Sequence, residues 1–303
     1  MEKSSREKQN ARPPGRASFL HFGGGRRYTE NGKEPAAPVR HEGREKLLMD
    51  AGKRIAPFGV IHLAYIAFFL AASVLYALHY KRLAARRRET ADRVLGALVF
   101  LCGLCEYGVS ALRGRLWPDA LPLHLCGMMF LLTPLHALTG GARPGSPAAR
   151  LHGFLGAAVF HPGVPGVWAA LLFPDWLDLP FLDLQSLSGF FAHGLVSVYG
   201  AAVLVRIAEA EDRRALFRRD LRASALFMSF GAGAMYLFDR AAGTNFWFMA
   251  GPSAGSPFAG AYARGGYGAY LLAFFLAAAA VTALWYGLRF VFLVRGRKKG
   301  GRG

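Results

Sequence analysis

The sequence predicts an all-α fold, a polytopic membrane bundle of about seven transmembrane helices. Three observations predict it. Of 303 residues, 53% are hydrophobic and only 18% are charged, which suits a membrane chain better than a soluble one. The apolar residues gather in stretches near the ~20 residues that cross a hydrocarbon core. Lysines and arginines alternate between rich and poor links, as spans threaded by the positive-inside rule require.

Residues 1–56 are polar and rich in Gly, Pro, Arg and Lys. They lack the apolar periodicity of a core and read as a basic, disordered N-terminal tail. The spanning domain is expected over 57–294, followed by a basic C-terminal tail at 295–303. Its segments fall at about 57–80, 94–113, 121–140, 150–172, 184–207, 221–239 and 268–294. The first ends at the run Lys81 to Arg93, and with no cleavable leader in view it is expected to serve as the insertion signal. The second carries Cys102, Cys105 and Glu106, and the third opens on Leu121-Pro122-Leu123-His124-Leu125-Cys126. In the fourth, His161-Pro162-Gly163-Val164-Pro165-Gly166 should kink the helix. The fifth holds Phe190-Phe191-Ala192-His193-Gly194, the sixth closes at Asp239, and the seventh runs into Arg295 to Lys299.

Basic residues crowd the links after spans one and five and the C-terminal tail, whereas the alternate links are poor. The expected location is the cell membrane, multi-pass, with the N-terminus outside and the C-terminus cytoplasmic. The basic N-terminal tail dissents, and a start at Met49 would shrink that conflict. The formal charge of +18 is explained by arginines that flank spans, so membrane phospholipids are the expected partners and nucleic acid is not.

This threading puts most of the unusual polar groups in the outer half. His62, His124 and Cys126 fall in the first turns of inward spans, and His193 two to three turns into span five. Glu106 and Tyr107 lie near the outer end of span two, Asp239 at the outer end of span six, and Asp175, Gln185 and Asn245 in or beside outer links. The inner halves look apolar apart from His136 and His152. Such groups in a bilayer are costly and are functional candidates.

Spacing limits the pairings. His124 and Cys126 would point about 200° apart on a helix, so a base for Cys126 must come from another span, His193 first and His62 second. A thiol in apolar surroundings needs that help to become a thiolate. The plainer readings are a cysteine that is a small hydrophobe, histidines that bond carbonyls, and an Asn245 that caps its own link. Glu106 is expected to pair with Arg113 or a histidine. Three cysteines in apolar context argue against disulfides, and Cys102 and Cys105 read as packing, so no metal and no cofactor are expected. Trp168, Trp176 and Trp247 read as interfacial aromatics.

Taken in order, Phe58 to Leu63, the Leu121–Cys126 block, Phe173-Pro174-Asp175, Phe190 to Gly194 and Gly243-Thr244-Asn245-Phe246 resemble the bacterial YwaF-type integral membrane family, which looks related to the eukaryotic transmembrane protein 164. The resemblance covers about residues 55–294. It implies a phospholipid acyltransferase with Cys126 as acyl-accepting nucleophile, His193 as its base, and His62, His124 and Asn245 in support. The chain departs from the pattern after Asn245, where Phe-Trp-Phe-Met stands in place of tyrosines. It departs again before the last span, which follows Gly265-Gly266-Tyr267-Gly268.

Three function classes follow. The first is a lipid-active acyltransferase or hydrolase built on Cys126 and His193. The second is a proton or small-solute transporter or sensor built on His62, Glu106, His124 and His193, which a through-going polar path would favour. The third is a non-catalytic membrane protein, in which Cys126→Ala is silent.

Overall fold

The computed structural model describes residues 55–114, 121–174, 179–180, 182–252, 256 and 258–291. Among them every element is helical. Seven helices follow the expected order: α1 Val60–Arg82, α2 Ala85–Leu112, α3 Leu125–Leu138, α4 Pro147–Leu172, α5 Leu184–Glu209, α6 Arg213–Ala242 and α7 Ala259–Arg289. Six of these are long and apolar enough to cross a membrane, while α3 is a shorter apolar helix. Asp175, Trp176, residues 1–54 of the N-terminal tail and the C-terminal tail lie outside the described residues.

The arginine runs are not links. Only Leu83 and Ala84 separate α1 from α2, so Arg86 to Arg93 ride on the first turns of α2. Arg213 to Arg222 likewise ride on α6. At 30 residues, α6 extends about 45 Å, well past a hydrocarbon core of ~30 Å, so its charged turns stand at the interface. The spans thus begin earlier than hydropathy alone suggests.

α5 is the hub, packing against α1, α2, α3 and α4. It is the most enclosed span, with 67% of its apolar stretch buried, against 11% for α1 and α6 and 6% for α7. The main core joins Phe69 of α1, Leu95 and Val99 of α2, Met129 and Phe130 of α3, and Val196 and Tyr199 of α5. Small residues let the helices close up. A Cβ at Gly194 would stand 2.2 Å from Phe69, and one at Gly103 would stand 2.8 Å from Phe130, so at both positions only hydrogen fits.

α3 has 14 residues, about 21 Å of rise, too short to span alone. Chain before it, Leu121 to His124, is non-helical. α4 breaks where expected, in a widened π-turn at Val159–Gly163 that contains Pro162. Proline has no N–H for the regular ladder, and a π-turn absorbs the mismatch without ending the helix.

Candidate functional site

The site expected around Cys126 lies where α3 and α5 begin. Cys126 occupies the first turn of α3, half-buried against the main core. One turn further on, Phe130 meets His193 of α5 edge-on, with ring centroids 5.1 Å apart. Residues four apart share a helix face, so Cys126 lies on the same face of α3 as Phe130, one turn from the ring that meets His193.

His193 is buried, and its Nδ1 bonds the carbonyl of Gly189 one turn back, at 2.7 Å. A carbonyl can only accept, so Nδ1 carries the proton and Nε2 is the basic edge of the ring. Tyr107 of α2 closes the third side. A Cβ at Gly127 would lie 2.3 Å from the Tyr107 hydroxyl. That hydroxyl therefore stands directly over the backbone beside Cys126.

The other expected members go elsewhere. His62 is fully buried with both nitrogens committed: Nδ1 accepts from the Phe58 N–H at 2.9 Å, and Nε2 donates to the Leu171 carbonyl at 2.7 Å. It joins α1 to the end of α4 and has no nitrogen left to serve Cys126. His124 takes the N-cap position of α3 without a side-chain capping bond, and its ring lies against Phe246 and Phe248, at centroid distances of 4.9 and 5.6 Å.

Asn245 closes its own loop, its carbonyl oxygen accepting from Ala250 and Gly251 and its amide donating to the Gly251 carbonyl. The capping role is the one its bonds describe. Glu106 lies on the same helix as Arg113, but the Arg113 guanidinium is held by Asp183 at 2.6 Å and Gln185 at 3.0 Å. A rigid guanidinium fork prefers a carboxylate that can face it squarely, and Asp183 does so from the N-cap of α5.

The loop after α6 clamps the Leu121–His124 segment. The Asp239 carboxylate is buried and accepts from Thr244 Oγ1 and the Phe246 N–H, both at 2.7 Å. This pins the loop back on α6. Trp247 and Phe248 are then held at φ 53° and 58°, left-handed conformations that cost bulky side chains about 1–3 kcal/mol each. Trp247, expected as an interfacial aromatic, is buried within the protein. It lies over Gly231, and its indole N–H donates to the Leu123 carbonyl at 2.8 Å, meeting the need of non-helical backbone at membrane depth for a partner.

The opposite end of the bundle overturns the expectation that the inner halves are nearly apolar. Buried Asp92 of α2 accepts from Tyr80 of α1 at 2.9 Å and Arg206 of α5 at 2.8 Å. His136 of α3 bonds the Tyr199 hydroxyl at 2.7 Å and stacks on His152. A second buried cluster joins Asp220 of α6 to Arg289 of α7 at 2.8 Å, with Arg289 also donating to His161 in the π-turn. The imidazole of His161 stacks on Tyr286, whose hydroxyl bonds Ser224.

In the sequence Asp92 and Asp220 sit among arginines, in stretches taken as links between spans. The available signal was a lone aspartate inside an arginine run, one or two turns into an apolar helix. Among the described residues no group of three or more His, Cys, Asp or Glu side chains is placed to hold a metal ion.

No curated protein and no solved structure matches the chain. The model of the TMEM164 family matches residues 57–288, the stretch from the first turn before α1 to the end of α7. The chain is therefore an integral membrane protein of the TMEM164 family.

Proposed function

We propose that this protein transfers or hydrolyses acyl groups of membrane phospholipids through a thioester on Cys126. The observation that supports the reading is the His193 Nδ1 bond to the Gly189 carbonyl, which fixes the tautomer so that Nε2 is the nitrogen that would take the Cys126 proton. Nε2 takes the thiol proton as sulfur attacks the ester carbonyl. The C–O bond to the lipid breaks, and the leaving alkoxide recovers that proton, giving the acyl-Cys126 thioester and a lysolipid. A hydroxyl acceptor or water then attacks the thioester by the reverse path. Tyr107, whose hydroxyl lies close to the backbone at Gly127, would donate toward the oxyanion. The arginines of α2, α5, α6 and α7 at the opposite end support placing that end in the cytoplasm and the Cys126 end outward.

The test is intact mass of the protein reconstituted in phosphatidylcholine, wild type against Cys126→Ala and His193→Ala. The expected outcome is an acyl adduct in the wild type that both variants lose. An unmodified wild type, with all three cysteines equally reactive toward a maleimide, overturns the reading.

One observation favours a second reading, proton or solute transport. The His136–Tyr199 and Tyr80–Asp92–Arg206 bonds gather polar side chains of α1, α2, α3 and α5 at the end away from Cys126, which supports one part of the polar path this reading needs. Proton flux in liposomes that falls at least tenfold in Asp92→Asn, with Cys126→Ala unaffected, would select it.

A further inference from the structure

On the side of the bundle away from Cys126, α4 and α6 leave a groove of about 510 Å³ lined by Phe154, Ala215, Arg218, Arg219, Arg222, Ala223 and Leu226. The six residues from α6 fall three, four, seven, eight and eleven positions apart, a single stripe along the helix. The floor comes from α4, where Arg219 lies across Gly153, a Cβ there standing 3.2 Å from its guanidinium carbon.

The stripe is graded. Its arginines occupy the second and third turns of α6, at the interfacial end. Leu226 lies eight residues beyond Arg218, about 12 Å deeper, and lines the groove together with Phe154. A ligand matching this gradient carries an anion at one end and hydrocarbon at the other.

Charge accounting points the same way. Asp220, the buried acid behind the groove, is bonded through Oδ2 to Arg289 at 2.8 Å and through Oδ1 to Arg219 at 3.1 Å. Among the described residues no carboxylate pairs with Arg218 or Arg222. Two exposed guanidiniums thus line the groove with no acidic partner among the described residues, over apolar walls that water solvates poorly. Guanidinium forks suit phosphate oxygens.

We infer that the α4–α6 groove binds an anionic phospholipid, with its phosphate on Arg218 and Arg222 and an acyl chain along Phe154, Ala223 and Leu226. Through Arg219 and Asp220, the bound headgroup adjoins the ion pair that fastens α7. The site is separate from Cys126 and does not depend on the chemistry proposed there.

The test is native mass spectrometry of the full-length protein with dioleoyl phosphatidylglycerol or dioleoyl phosphatidylcholine, for wild type, Arg218→Gln/Arg222→Gln and Leu226→Trp. Arg219 is left in place because it bonds Asp220, and circular dichroism checks that each variant is folded. Wild type should retain phosphatidylglycerol about thirtyfold better than phosphatidylcholine, the weight of two interfacial arginines. The double arginine variant should lose that preference. Leu226→Trp, which fills the apolar part, should weaken phosphatidylglycerol retention several-fold with both arginines intact. Equal phosphatidylglycerol retention by wild type and the arginine variant overturns the site. Displacement of phosphatidylglycerol by an equal concentration of glycerophosphate overturns the role of the acyl chain, and with it the lipid.

Discussion

A histidine in a membrane helix has two nitrogens to satisfy, and how it does so separates structure from chemistry. His62 spends both on backbone partners and acts as a rivet, whereas His193 donates through Nδ1 to the Gly189 carbonyl, which makes Nε2 its basic nitrogen. Both appear in the sequence as a polar residue among phenylalanines. What distinguishes them is which carbonyl comes within reach, and that depends on the fold.

A carboxylate at the same end shows how pH should act. Burial alone would raise the Asp183 carboxyl, but the Arg113 fork and the first N–H groups of α5 outweigh it and hold it below its ordinary 3.8. A depressed carboxylate contributes stability above its unfolded value and loses it as pH falls through the folded one. Asp183→Asn should therefore cost about 0.5 kcal/mol at pH 7. Its thermal midpoint in detergent should converge with that of the wild type as pH drops below 3.8.

Among the elements, α3 is the unusual one. A helix of 14 residues leaves the chain above it to reach the surface as irregular backbone, which a bilayer tolerates only when its carbonyls are satisfied. The Leu123 carbonyl is served by an indole from a strained loop, itself pinned by Asp239. Trp247→Phe keeps the ring and removes the donor. It should lower stability by about 1–3 kcal/mol, the cost of an unsatisfied buried carbonyl, and speed maleimide labelling of Cys126 relative to Cys102. An unchanged labelling rate would mean the loop does not hold this segment.

Hydropathy located all seven helices because apolar length is read directly from composition. It placed the starts of α2 and α6 too late, since arginines on helix ends belong to the interface rather than to a link, whereas the regular part of α7 begins after the break at Gly266 (φ 68°), close to the expected start at 268. The π-turn in α4 was legible as His161-Pro162-Gly163, because proline removes a donor wherever it sits.

Across the whole molecule, α7 is joined to the bundle chiefly at its two ends. Tyr267 and Tyr270 bond the loop carbonyls of Met249 and Phe248, and Arg289 meets Asp220 and His161 at the other end. Removing one member of a buried pair strands the other, which costs about 3–5 kcal/mol, whereas replacing both with apolar groups is close to neutral. Asp220→Leu alone should loosen α7 and raise its cleavage by added protease. Asp220→Leu/Arg289→Met should restore resistance. A double variant as labile as the single one would show that the pair is not the fastening.

Neither this pair nor Asp92 with Arg206 was visible beforehand, because partners 69 and 114 residues apart meet only once the helices are packed. The central place of α5 has its own consequence. Its neighbours press on it from several sides, whereas α1, α6 and α7 turn most of their surface to fluid lipid, which accepts nearly any apolar shape. In a saturation mutagenesis library selected for folded protein, exchanges among leucine, phenylalanine, valine and alanine should survive freely on α7 and be purged on α5. The density of survivors along each helix would trace the cross-section of the bundle, with the deepest minimum at Gly194.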